Sequence, residues 1–126
     1  MRPIGRTLYP AGMDAWTDSR DIPLDLARAG EARHFVTWRA AIAGLGGGRL
    51  HELAVAAEAA ITDVLLSSPE GVLEIHSEHD EDLFRISIQH PEIKQRRMRD
   101  LEGVLEHFLD DYEITPTSVM LEKRLR

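Results

Sequence analysis

From Arg28 onward the hydrophobic period of the chain changes three times, and those changes constrain its fold more tightly than any single motif. Apolar residues recur at helical spacing from Arg28 to the SSPEG break at 67–71, then alternate at every second position to Gln89. The pattern turns helical again after Pro91 and alternates once more before Leu125. A period near 3.6 buries one stripe of a helix, whereas a period of 2 buries one face of a strand.

Within that frame, Ala32, Phe35, Val36 and Ile42 mark a first helix from Arg28 to Leu45, which the glycines at 44–48 interrupt. Leu50, Leu53, Ala54, Ala57, Ile61 and Val64 form the apolar face of a second. Val72 to His76 and Leu83 to Gln89, separated by the acidic turn SEHDED, read as a hairpin in which Phe84, Ile86 and Ile88 share one face. A third helix is expected to open on the basic run KQRRMR and to bury Leu101, Val104, Leu105, Phe108 and Leu109. The closing DYEITPTSVMLEKRL reads as a second hairpin around Pro116. Ahead of all these, Ile22, Leu24 and Leu26 alternate as a short strand that Pro23 restricts to a sheet edge. Helices and antiparallel hairpins in this mixture predict an α+β, two-layer sandwich, with a mixed, mostly antiparallel sheet and about three helices on one face.

At 126 residues the chain has room for one core. The expected division is a flexible N-terminal arm at 1–20 and a single domain at 21–126, with Trp38 packed and Trp16 placed in the arm as an anchor for a partner. A formal net charge of -7 argues against broad phosphate-driven binding to nucleic acid. No apolar run approaches the roughly 20 residues of a membrane span, and the first residues lack the apolar core of a secretory signal, so the expected location is the cytoplasm. With zero cysteines there is neither a disulfide framework nor a thiolate site. His76, Glu78 and His79 lie beside a polar turn without a second ligand cluster, so no metal site is expected there. No nucleophile elbow, Walker loop, HExxH pair or EF-hand loop is present.

Three stretches then carry a resemblance: ARAGEARHFVTWRAAI, LHELAVAAEAAITDVLLSS and LEGVLEHFLDDYEITPTSVMLEKRL. In the order strand, helix, helix, hairpin, helix, hairpin, they resemble the first helix, the second helix and the closing helix and hairpin of the GHKL (histidine kinase-like) ATPase fold. The likeness is to the small bacterial anti-sigma factor serine kinases of partner-switching systems. It implies that Glu58 stands at the family's catalytic carboxylate and Thr62 where the family has a magnesium-ligating Asn. It also implies that His90 falls at the adenine-reading Asp and Glu92 at the glycine that follows it. Arg99 and Leu101 stand near the phosphate-binding glycines, and EIKQRRMR replaces the mobile lid, so Arg96, Arg97 and Arg99 complete a remnant pocket. Asp63 is turned roughly 100° from Thr62 around the helix and does not replace the Asn.

Loss of family residues at three motifs points to a regulatory, non-catalytic protein-binding domain with nucleotide binding lost or weakened and no cofactor expected. Its implied partner is a sigma factor, an anti-sigma antagonist or a homologous subunit in a homodimer, docking through Arg28 to Ile42. Two alternatives stay open: an active ATP- and magnesium-dependent serine kinase or ATPase with Glu58 as base, and a structural oligomerisation module. Glu58 also reads as an ordinary solvated helix carboxylate, and KQRRMR as a solvated basic face.

Overall fold

The computed structural model describes residues 16–68 and 70–125. Strand β1 (Trp16–Pro23) leads through a one-turn 3-10 helix (Leu26–Arg28) into α1 (Ala29–Ala43) and α2 (Gly47–Ser67). The hairpin β2 (Val72–His79) and β3 (Leu83–Gln89) follows, then α3 (Leu101–Phe108) and the hairpin β4 (Asp111–Thr115) and β5 (Ser118–Arg124). The strands form one sheet in the order β1-β2-β3-β5-β4, with every neighbouring pair antiparallel. This is the α+β architecture that the hydrophobic periods predict.

Register explains the core. Ile75, Ile88, Val119 and Ile114 lie side by side across four strands, and the next row on the same face is Ser77, Ile86, Leu121 and Tyr112. Against these rows pack Ala32, Phe35, Val36 and Ala40 of α1, Leu53, Ala56, Ala57, Ala60, Ile61 and Val64 of α2, and Leu101 and Leu105 of α3. The alanines of α2 let that helix come close to its neighbours, which is why it is buried along most of its length. Gly44, at φ 109, ends α1 in a left-handed conformation, and the Leu45 amide returns to the Ala40 carbonyl, so α2 begins three residues later.

Ionic groups close the lower edge and the outer face. Lys123, on the core side of β5, donates to the Phe108 carbonyl at 2.6 Å and to Glu52 at 3.0 Å, and so caps the negative end of α3. On the other face of the sheet, Arg85 reaches Glu122 at 2.9 Å and Glu78 at 3.4 Å. Arg85, Glu122 and the neighbouring Met120 are all buried.

Four expectations change. Residues 16–20, assigned to the arm, belong to β1, which runs from Trp16 to Pro23 at the sheet edge, while 1–15 lie outside the described residues, as does the side chain of Trp16. Leu26, expected in the strand, instead opens the 3-10 turn and is exposed. Trp38 and Ile42 do not pack into the core but are 49% and 47% exposed. Trp38 is two residues from both Val36 and Ala40, and Ile42 two beyond Ala40, which turns each about 200° from those buried neighbours. Finally, KQRRMR does not open α3, which begins only at Leu101. The amides of Arg97 and Met98 donate to Ser67 and Asp63 of α2, so this stretch satisfies its backbone across the fold and not through helical i−4 carbonyls.

Candidate functional site

Residues expected to form one pocket separate into two groups. Glu58 projects from the solvent side of α2, 58% exposed, and its carboxylate meets Arg33 of α1 at 2.5 Å. Thr62, one turn on, is half-buried. Neither hydrogen-bonds to His90 or to any residue of the basic run.

The second group converges around the following residue of α2. Asp63 is fully buried, in line with Ala56 and Ala60 on the packed stripe of the helix. One carboxylate oxygen accepts from Arg96 Nη1 at 2.6 Å; the other accepts the Met98 amide at 3.0 Å and faces the Ser67 hydroxyl at 3.5 Å. Arg96 Nη2 donates to the Thr115 carbonyl at 2.7 Å and to His90 Nε2 at 3.0 Å. Its guanidinium therefore joins α2, the end of β3 and the β4–β5 hairpin.

His90 is held in one tautomer. Its Nδ1 lies 2.7 Å from the Pro91 carbonyl, which accepts but cannot donate, so Nδ1 carries the proton and Nε2 presents its lone pair to Arg96. Burial pushes the His90 pKa below the ordinary histidine value, the Pro91 hydrogen bond and Asp63 oppose that shift, and the Arg96 charge adds to it.

The remaining basic residues face water. Arg97 contributes its backbone amide to Ser67 and has an exposed side chain. Arg99, with Arg96, Met98, Leu101, Glu102 and Ile114, lines an open concavity of about 350 Å³ beside the start of α3. A larger shallow concavity, about 480 Å³, lies on the outer face of the sheet among Ser19, His76, Glu78, Ser87 and Gln89. His76 points to that face and pairs with Glu74 at 2.6 Å, whereas His79 belongs to the core-side row with Phe84. Burial lowers the His79 pKa, with nearby Arg39 adding to the effect. The pleat thus parts the two histidines, and no group of three ligand-type residues gathers among the described residues.

The carboxylate at 58 is turned outward to an arginine, position 62 offers only a hydroxyl, and the buried carboxylate at 63 is already bonded to Arg96 and Met98. What the convergent group does chemically is hold a loop: it gives the buried Asp63 carboxylate three donors, gives the Arg96 guanidinium three acceptors and orients two backbone amides.

The sequence singles out His90 and Arg96 and weighs Asp63 only as a replacement for the magnesium-ligating Asn, while Ser67 is not singled out. The available signal was a carboxylate within an apolar stripe, three residues after Ala60 and seven after Ala56. No protein-family model matches the chain, and no curated protein matches it. No helix among the described residues is long and apolar enough to cross a membrane.

Proposed function

We propose that the chain is a regulatory protein-binding domain resembling anti-sigma factor kinases, in which nucleotide binding has been lost or weakened. The observation that carries this reading is the commitment of Arg96 to Asp63, His90 and Thr115. Groups that a nucleotide would need as ligands are spent on one another, and Glu58 faces solvent in an ion pair with Arg33. The order strand, helix, helix, hairpin, helix, hairpin supports the resemblance. The protein-binding half of the proposal draws on α1, where Trp38 and Ile42 stand one helical turn apart and about half exposed. A sigma factor, an anti-sigma antagonist or a homologous subunit is the partner class, and the cytoplasm is the compartment in which such a partner would be met.

Calorimetric titration with ATP and with ADP, each with magnesium, tests the nucleotide half over the micromolar to millimolar range. The expected result is no saturable heat and no thermal shift. Saturable, magnesium-dependent binding would overturn the proposal in favour of an ATP-dependent kinase, and phosphotransfer abolished by Glu58→Gln would complete that reversal. The protein-binding half is tested by reconstitution with candidate sigma factors and antagonists. Trp38→Ala with Ile42→Ala is expected to abolish a complex while leaving the melting temperature unchanged; self-association alone would favour the oligomerisation module.

A further inference from the structure

Residues 90–100 cross from the end of β3 to the start of α3 without helix or strand of their own. On the sheet side the His90 amide donates to the Thr117 carbonyl at 3.0 Å, and the Ile93 amide to the Pro116 carbonyl at 2.8 Å. Ile93 is also buried in the core, as is Leu101 at the far end. Between these anchors, the stretch 94–100 is held on the helix side by the Arg97 amide on Ser67 Oγ at 2.9 Å and the Met98 amide on Asp63 at 3.0 Å. The Arg96 side chain hydrogen-bonds on both sides, to Asp63 on α2 and to His90 and Thr115 on the sheet.

His90 accepts from Arg96 in only one protonation state. With Nδ1–H directed at Pro91, a second proton can enter only at Nε2, the atom that faces Arg96 Nη2. Protonation there replaces a hydrogen bond with two cations 3.0 Å apart. The charged groups that face the imidazole are Asp63 from α2 and Arg96 from its own segment, while the β4–β5 hairpin offers the neutral carbonyls of Thr115 and Thr117. Asp63 favours the imidazolium, but both its oxygens already serve Arg96 and Met98.

We propose that the stretch 94–100 is a pH-sensitive latch, closed while His90 is neutral and loosened when His90 takes a proton at Nε2 and displaces the Arg96 guanidinium. The fixed ends at Ile93 and Leu101 confine the motion. Release uncovers the seam between α2 and the sheet and widens the adjoining concavity lined by Met98, Arg99 and Ile114. This inference does not depend on the function proposed above.

Amide hydrogen exchange on the full chain reads the latch directly. Between about pH 7.5 and about pH 5, after correction for intrinsic rates, protection at Arg97 and Met98 is expected to fall by about tenfold while Ile93 keeps its protection. In His90→Gln, whose amide oxygen offers a non-titrating acceptor near the Nε2 position, protection at Arg97 and Met98 is expected to stay level. The proposal is overturned if protection at Met98 does not change as the His90 imidazole titrates, if Ile93 opens in parallel, or if His90→Gln shows the same loss. Should that variant not fold, nitrogen NMR of the imidazole in the unmodified protein decides. A neutral Nδ1–H tautomer, with a titration midpoint matching that of Met98 exchange, supports the latch; the other tautomer, or midpoints that differ, refutes it.

Discussion

Replacing Asp63 with alanine removes the buried carboxylate that fixes Arg96 and leaves the Met98 amide without its acceptor. Breaking a buried ion pair by deleting one partner costs about 3 to 5 kcal/mol. The lower end applies here, because the Arg96 side chain is 17% exposed and retains Thr115 and His90 as acceptors. A loss of about 3 kcal/mol lowers the melting temperature of a domain of this size by roughly 12 °C, which leaves a protein of ordinary stability folded. Asp63→Asn keeps an oxygen for the Met98 amide and removes only the charge, so about half the loss is expected. Urea unfolding of both variants, together with Arg96→Ala and the double mutant, measures the effect, and the Asp63–Arg96 coupling should reach about 2 kcal/mol. A cost below about 1 kcal/mol for Asp63→Ala, or a coupling near zero, would show that this network does not hold the loop against α2.

Three further outcomes are expected. Glu58→Gln should change stability by less than about 0.5 kcal/mol in thermal unfolding, since both it and Arg33 are substantially exposed; a loss above about 1 kcal/mol would mean that the pair organises the α1–α2 packing. Gly71→Ala should cost about 2 kcal/mol in chemical denaturation, because φ is 116 and the added Cβ would stand 2.7 Å from Pro91 Cγ; an unchanged midpoint would contradict that close approach. The His90 contribution to stability should be fully present above the unfolded histidine pKa of about 6.5 and disappear as pH falls through the lowered folded value, because the unfolded chain takes up its proton first. Unfolding free energies measured across that window should fall less steeply in His90→Gln than in the unmodified protein, and equal slopes would count against the assignment.

The layers were legible in the sequence because burial of a helix or a strand depends on spacing alone. Ala32, Phe35 and Val36, the α2 stripe through Val64, and the alternation of Phe84, Ile86 and Ile88 each needed only a period and a face. Trp38 and Ile42 are half exposed although apolar, because apolar character says nothing of whether a neighbour exists on that side of α1. KQRRMR lies directly ahead of the α3 stripe and so reads as its opening turns, but Ser67 and Asp63 capture its amides from thirty and thirty-five residues away.

The candidate site divides along the same line. The chain alone supplied the kinds of groups: a carboxylate-bearing second helix, a histidine after the second hairpin strand and a basic run before the third helix. Only the tertiary structure decided which carboxylate meets them. Glu58 and Asp63 differ by five positions, which places them about 140° apart around α2. Packing turns the first toward Arg33 and water and the second toward Arg96, His90 and the sheet. Periodicity follows from the covalent chain and the geometry of each element, but the pairing of distant charges depends on how those elements dock, and no local signal carries it.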